Sequence, residues 1–482
     1  MLFHSALSEH GEASKLKRSM PGRAAIQLPA FAANGVPIHS GNMTAPHSPT
    51  ESRRIKIGPK KKIAFVCSGG ATKAGAFHLG VALALQEQGF RFYGGLPTPG
   101  GSIVAPGPME ISTYVGSSAG SMIASFLAAG YTLDNIFNSF TGRESSDPRD
   151  CHPRKLERMS YPRMFRVRPE LAREQLGELL KFRKLIGGLV QGDFDSLVQL
   201  KWLKATGLFS TAGIEEYMRE SVLPSNRFED YPADLFVVAT QLNHSRKVVF
   251  GKYAYQPPPH DLTCTYDNSV SISDACAAST ALPFVFAPWT IHHAEGGPVT
   301  YIDGEIRETL STHVAIDSGA DLVIASYTHQ PYHYSRLTGS LTEYGLPAIL
   351  IQSIYLLVEQ KINNHIHNKK IQRNAIRAVD RYCREEGLVD SQRKRILEIL
   401  EQELHHSMEV DSIYIHPEPT DSKAFFGEHF SLSSNKLEQI VKSGFRAAIN
   451  VLRRYEFEDR APQENPVGVT ESGVAAGLGK TE

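Results

Sequence analysis

The sequence lacks the features that mark membrane-spanning, disulfide-rich and nucleic-acid-binding proteins. Its most apolar stretch, residues 346–358, is shorter than a bilayer span and is interrupted by Pro347 and Gln352, so it predicts a core helix. The five cysteines are scattered without C-x-x-C pairing, which favours unpaired thiols in a reducing compartment. The formal net charge is zero, so nothing in the overall composition points to a nucleic-acid partner. We therefore expect a cytoplasmic protein whose contact with membranes is peripheral.

Nucleotide-binding fingerprints are absent as well. Residues 68–75 are rich in glycine and follow an apolar run, but they match neither the G-x-x-x-x-G-K-[ST] nor the G-x-G-x-x-G pattern. The segment does place bare backbone N–H groups in a turn before a helical pattern, where an anion is stabilised. The pattern suits a reaction oxyanion or a phosphate group better than a bound nucleotide.

The chain has an organised middle between two irregular ends. Residues 1–60 and 461–482 are rich in small and polar residues without periodicity, and they predict a flexible N-terminal extension and a flexible C-terminal tail. Between them, β-prone apolar runs alternate with helical patterns. This alternation predicts an α/β fold, with a mostly parallel central sheet flanked by helices. Residues 340–408 add an almost wholly helical part to a single domain of residues 61–460.

The pentapeptide of residues 116–120, Gly-Ser-Ser-Ala-Gly, is the feature that points most directly to chemistry. It separates a β-prone stretch from an apolar helical one, which is the strand–turn–helix order of a nucleophile elbow. Gly116 and Gly120 allow the strand and the helix to approach closely. Ser118 would then lie at a helix N-terminus, where developing negative charge is stabilised. The alternative interpretation is an ordinary glycine-rich turn.

A serine nucleophile needs a base to take its proton and donors to stabilise the oxyanion. None of the histidines lies in a context that indicates a triad. Asp303 ends a strand-like run and is followed by Gly304, so a turn there could hold the carboxylate at the edge of the sheet. An Asp-Gly pair taken alone is more often a plain turn.

Taken together, these segments resemble the patatin-like phospholipases. The glycine-rich loop, the elbow and the Asp303 turn occur in the order seen in that family, and residues 236–243 and 277–288 are similar to two further family segments. The resemblance covers roughly residues 61–330. It implies a three-layer fold related to patatin and the cytosolic phospholipases.

The resemblance also implies roles for individual residues. Ser118 would be the nucleophile and Asp303 the base of a serine–aspartate dyad. The backbone N–H groups of Gly69, Gly70 and Ala71 would form the oxyanion hole, with Ala119 as a further donor. Because such a dyad needs no metal or organic cofactor, we expect none.

This chain departs from the family pattern at two places. The family's loop commonly has three consecutive glycines, whereas here Ser68 and Ala71 flank only two, which leaves the register of the loop open by one residue. Lys73 takes the family's basic position. After the aspartate and its glycine the family often has a second glycine, and this chain has Glu305.

The resulting hypothesis is a carboxylic ester hydrolase of phospholipase or lysophospholipase type, acting on phospholipids or related acyl lipids. Two alternatives remain: a catalytically weak or inactive patatin-fold protein that binds lipid, and a His-dependent esterase. Basic residues in 141–173 suggest peripheral contact with a membrane surface. For the basic residues in 53–62 the first interpretation is a solvated domain edge, and contact with anionic lipid is the alternative. The sequence leaves the lipid class and the oligomeric state open.

Overall fold

A computed structural model describes residues 54–97, 100, 104–143, 155–168, 207, 209–253, 263–283, 285–293, 296–334, 336, 339–418 and 431–458. All of these lie in one unit, residues 52–482. The predicted C-terminal tail, residues 1–53 of the predicted extension, and residues 144–154 of the Arg-rich stretch fall outside the described residues.

The secondary structure alternates between strands and helices, as the sequence pattern predicts. The strands are β1 Ile55–Ile57, β2 Ile63–Cys67, β3 Arg91–Phe92, β4 Glu110–Ser117, β5 Arg166–Val167, β6 Phe209–Ser210, β7 Asp234–Gln241, β8 Arg246–Gly251, β9 Cys264–Asp267, β10 Trp289–His293, β11 Gly297–Asp303, β12 Leu322–Ser326, β13 Asp411–Ile415 and β14 Tyr455–Phe457. The α-helices are α1 Ala71–Glu87, α2 Ala119–Ala128, α3 Leu133–Thr141, α4 Tyr161–Met164, α5 Ala212–Tyr217, α6 Ile272–Ser279, α7 Thr312–Asp317, α8 Gly345–Glu385, α9 Asp390–Glu403 and α10 Ser434–Leu452. A π-helix covers Met218–Val222, and 3₁₀ turns cover Phe228–Asp230, Gly304–Ile306 and Leu341–Tyr344.

A ten-stranded mixed sheet forms the centre of the described fold. Its middle is parallel, in the order β7, β4, β2, β12 and β13. Antiparallel strands lie toward the β7 side, where β7 pairs with β8 and β11, and β11 pairs with β10. The prediction of a mostly parallel α/β sheet with a helical C-terminal part is therefore confirmed.

Both faces of the sheet are buried, which explains why its strands read as continuous apolar runs. In β2, Phe65 belongs to one hydrophobic cluster and Val66 to the other. The same alternation separates Val237 from Val238 in β7. Helices α1, α2, α3 and α10 contribute to the first cluster, and α7 and α8 contribute to the second. The result is a three-layer arrangement of helices, sheet and helices.

Strand β7 brings the ends of two other strands together. Because β8 occupies one edge of β7, β4 and β11 must share the opposite edge, β4 in parallel and β11 antiparallel. Ser117, the last residue of β4, pairs with Val238, and Asp303, the last residue of β11, pairs with Ala239. The carboxyl ends of β4 and β11 therefore meet at consecutive residues of β7.

The start of the described chain is more ordered than the sequence predicts. Strand β1 lies within the predicted extension, pairs with β14 and buries Ile57. The basic run that follows is partly neutralised, since Lys60 and Lys62 form ion pairs with Asp411 at 2.9 Å and Asp234 at 2.6 Å. These two lysines are thus engaged within the described fold. Within the described ranges, no helix combines the length and apolar character needed to span a bilayer.

Candidate active site

Ser118 lies in a sharp turn between β4 and α2. Its backbone adopts φ 52° and ψ −129°, a left-handed φ that is rare for a residue with a side chain. The flanking glycines explain how the turn closes: a Cβ atom on Gly116 would lie 2.4 Å from the carbonyl oxygen of Gly120, and one on Gly120 would lie 2.3 Å from that of Cys67. The geometry is that of a nucleophile elbow.

Hydrogen bonds from neighbouring elements hold the strained serine in place. Its N–H donates to Ser279 Oγ at 2.8 Å, and Ser279 Oγ donates in turn to the carbonyl oxygen of Val238 at 2.6 Å. On the other side, Ser121 Oγ donates to the carbonyl oxygen of Ser118 at 2.6 Å. Helix α6 and strand β7 thus fix the backbone from which the hydroxyl projects.

Asp303 lies at the end of β11, almost completely buried, and the neighbouring Ser118 side chain favours the ionised form of its carboxyl group. Its Oδ1 also accepts a bond from the N–H of Glu305 at 2.9 Å. Burial raises the pKa of Asp303 to about 6, and the Ser118 side chain and the Glu305 N–H, which favour the charged form, oppose that rise. In the described residues, no histidine is a hydrogen-bond partner of Ser118.

The glycine-rich loop approaches the serine at the N-terminus of α1. Gly70 is the N-cap residue at φ 130°, and Ala71 has φ 57°. The N–H groups of a first helical turn have no acceptor within the helix, and the helix dipole adds partial positive charge there. A residue outside the loop fixes its backbone, since Thr328 Oγ1 donates to the carbonyl oxygen of Gly69 at 3.1 Å.

His78 and Lys73 of α1 have supporting positions. The two ring nitrogens of His78 bond Ser326 Oγ at 2.7 Å and the carbonyl oxygen of Ser68 at 2.8 Å, and burial lowers its pKa to about 4. A neutral His78 thus ties the glycine loop to β12. Lys73, in the basic position of the family pattern, is buried with Nζ 3.2 Å from the hydroxyl of Tyr355 on α8.

Glu305 is a further candidate site residue, which the sequence motifs did not indicate. Its Oε1 accepts hydrogen bonds from the N–H of Gly69 at 2.7 Å and from the hydroxyl of Ser117. Burial and the neighbouring charge of Asp303 raise the pKa of Glu305. The departure from the family's second glycine at this position was the sequence feature that could have identified it.

An apolar pocket opens beside Ser118 and encloses about 860 Å³ of empty space, its open mouth included. Its walls come from α1, α2, α3, α4, α5 and α10, and from the segments before α4, β10 and α10. The lining residues are Ala71, Thr72, Gly75, Ser118, Ala119, Met122, Ile123, Phe126, Ser139, Phe140, Arg158, Met159, Met164, Ile214, Tyr217, Thr280, Leu282, Phe286, Leu432 and Leu437. Apolar side chains make up most of this lining, as is usual for ligand pockets.

The described ranges contain no group of three or more His, Cys, Asp or Glu side chains that could hold a metal ion. What they do contain is a strained serine, a buried carboxyl group and a helix N-terminus at the carboxyl end of a mostly parallel sheet. These features define an α/β protein with a candidate serine hydrolase site.

Comparison with protein families identifies the class more closely. The model of the patatin-like phospholipases matches residues 65–316, more than half of the chain. The protein belongs to the patatin-like phospholipase family, as the sequence motifs predicted. No curated protein matches the chain.

Proposed function

We propose that this protein hydrolyses ester bonds of phospholipids or related acyl lipids through a dyad of Ser118 and Asp303. Family membership supports lipid acyl hydrolysis in general. The observation that carries the dyad is the pairing of Ser117 and Asp303 with consecutive residues of β7, which brings the buried Asp303 carboxyl group beside the Ser118 side chain. A nucleophile within reach of a buried base is the arrangement that serine hydrolysis requires.

The reaction proceeds in two halves. Ser118 Oγ attacks the ester carbonyl carbon while its proton passes to Asp303, and the tetrahedral intermediate collapses as that proton moves to the leaving alcohol. A water molecule, deprotonated by Asp303, then attacks the acyl-enzyme. The second collapse returns the proton to Ser118 and releases the fatty acid.

The loop of residues 69–71 supplies the stabilisation of the oxyanion in this proposal. Two features of its position support this role. The loop ends at the N-terminus of α1, and Gly69 packs directly against Ser118, where a Cβ atom on Gly69 would lie 2.7 Å from that of Ser118. Loss of one oxyanion donor typically costs about 3 kcal/mol of transition-state stabilisation. The pocket supports an acyl substrate, since apolar side chains such as Met122 and Phe286 line it from the nucleophile outward.

The dyad is tested with Ser118→Ala and Asp303→Asn. We expect each variant to lose at least about a thousandfold of esterase kcat, while the far-UV circular dichroism spectrum and Tm stay close to those of the parent protein. Ser125→Ala is the matched serine control on α2, outside the pocket lining. Turnover that survives in either dyad variant would refute the mechanism.

The same protein preparation distinguishes the catalytically weak lipid-binding alternative. A fluorophosphonate probe should label wild-type protein and not Ser118→Ala. Folded wild-type protein that resists the probe but still binds liposomes would favour a lipid-binding role.

We propose that contact with membranes is peripheral and has an electrostatic part. Arg158 lines the pocket, and Lys155 and Arg163 lie in the same segment. Binding to vesicles that contain anionic lipid should weaken between about 50 and 500 mM salt, because screening shortens the range of these charges. Co-sedimentation that does not change with salt would contradict this contribution.

A further inference from the structure

We propose that Glu305 is a positioning residue of the oxyanion loop, which ties the Gly69 amide to the end of β4 and leaves the Gly70 and Ala71 amides to receive the oxyanion. The inference rests on the proposed function and refines it. It begins from one bond: the Gly69 N–H, a candidate oxyanion donor, donates to Glu305 Oε1 at 2.7 Å. An amide engaged in this way is not available to the substrate.

Glu305 joins the glycine-rich loop, the end of β4 and Asp303, which have to keep a fixed spacing in the proposed site. Its Oε1 bonds Ser117, the residue before the nucleophile, as well as Gly69. Its N–H donates to Asp303 Oδ1. One residue therefore contacts the elbow, the base and the loop.

The contact depends on two positions in the sequence. Gly69 has no side chain, and a Cβ atom there would lie only 2.6 Å from Glu305 Cγ. Glu305 stands where the family pattern often has glycine, which has no carboxyl group to offer. This loop has two consecutive glycines where the family commonly has three. The hydrogen bond from Gly69 to Glu305 fixes the position of the loop from outside it.

The position of the loop leaves two donors for the oxyanion. Gly70 and Ala71 begin helix α1, and their N–H groups precede the first intrahelical bond, in which the N–H of Ala74 donates to the carbonyl oxygen of Gly70 at 3.3 Å. Ala71 also lines the pocket together with Ser118. The Ala71 amide thus combines a position in the pocket wall with the field of the helix N-terminus, and the Gly70 amide lies one residue before it.

The protonation state of Glu305 affects this arrangement. Asp303 must be ionised to act as a base, and a second carboxylate beside it in a buried site is unfavourable, so Glu305 holds its proton to higher pH. The other titratable group that faces it in the described residues is His329, whose Nδ1 lies 4.0 Å from Oε2. Farther out, Tyr355 contacts both His329 and Lys73. Ionised Glu305 would place negative charge where the oxyanion forms.

The first experiment compares Glu305→Gln with Glu305→Leu, using kcat and KM for a p-nitrophenyl ester at pH 7. Gln keeps an oxygen that accepts from Gly69 and Ser117, so its kcat should stay within about threefold of wild type. Leu removes the acceptor, and its kcat should fall about a hundredfold while KM changes less than about threefold. Wild-type kcat in Glu305→Leu, or an equal loss in Glu305→Gln, would overturn the proposal.

The second measurement is the pH–rate profile, which a purely structural role would not alter. Wild-type kcat should fall as pH rises through about 8, the pKa to which burial and Asp303 raise Glu305. Glu305→Gln should lose this alkaline limb and keep the acid limb. An alkaline limb that persists in Glu305→Gln would overturn the proposed effect of charge, and this test remains available if Glu305→Leu does not fold.

The Ser118→Ala variant distinguishes failure of the proposed dyad from failure of the proposed role of Glu305. Retained turnover in that variant would refute the dyad, whatever the Glu305 variants do. Complete loss in Ser118→Ala together with full activity in Glu305→Leu would refute only the role of Glu305.

Discussion

In the proposed dyad, Asp303 can take the proton of Ser118 only when its own carboxyl group is ionised. Burial works against ionisation, and the hydroxyl of Ser118 and the N–H of Glu305 work for it, which leaves the pKa of Asp303 at about 6. At this value the base is ionised at neutral pH and still basic enough to accept a proton. A carboxylate at its ordinary pKa of 3.8 would be a weaker base.

The acid limb of the rate profile follows from this raised pKa. Hydrolysis should increase as pH rises through about 6 and should fall about tenfold per pH unit below that range, because protonated Asp303 cannot act as a base. The measurement is kcat/KM for a short p-nitrophenyl ester from about pH 4.5 to 7.5. Circular dichroism at each pH separates loss of the base from acid unfolding. A flat profile across this range would contradict the assignment of Asp303.

At the scale of elements, helix α2 has two roles. Its N-terminus carries the elbow, and its next turns supply Met122, Ile123 and Phe126 to the wall of the apolar pocket. Residues of other elements complete the wall, including Met164 of α4 and Leu437 of α10. The proposed nucleophile and the proposed acyl site are therefore built on one helix, an arrangement that would keep the ester close to Ser118.

Filling the pocket should change the preference for acyl length. Met122→Trp places an indole in the space beside Ser118, so kcat/KM for a sixteen-carbon ester should fall at least about tenfold relative to a four-carbon ester. Met408→Trp is the matched control, because Met408 lies outside the pocket lining. An equal loss on both esters, or a shift in the control as well, would contradict the assignment of the pocket to the acyl chain.

At the scale of the whole molecule, helices α1 and α10 come from opposite ends of the described chain and pack backbone to backbone. A Cβ atom on Gly80 would lie 2.0 Å from the carbonyl oxygen of Val441, and one on Gly444 would lie 2.2 Å from that of Phe77. This close packing connects the helix of the oxyanion loop to the last helix of the described fold.

Gly80→Val should therefore destabilise the entire unit. The new side chain meets backbone atoms that cannot rotate away, so we expect the free energy of unfolding to fall by more than about 3 kcal/mol. At Gly58 a Cβ atom would meet only Glu458 Oε2, at 3.7 Å, and Gly58→Val should cost less than about 1 kcal/mol. Urea unfolding curves of both variants provide the comparison, and similar midpoints would contradict the argument.

Local patterns predicted much of this molecule. The strand at residues 63–67, the strand before the elbow and the long C-terminal helices each have a period or an apolar run that can be recognised without knowing their neighbours. The family and the mostly parallel α/β fold follow from such motifs taken in order. The short strand β10 was missed, because Trp289–His293 alternates apolar and polar residues over too few positions to be recognised without its partner β11.

By itself, the sequence determined the succession of apolar runs along the chain and the elbow at Ser118, because each depends on neighbouring residues. The candidate base at Asp303 followed from the order of the family motifs. Only the tertiary structure decided that β4 and β11 end opposite Val238 and Ala239, two consecutive residues of β7. It also decided that the carboxyl group of Glu305 reaches the amide of Gly69. Both facts depend on pairing register and on packing between segments far apart in the chain. No local propensity specifies such contacts.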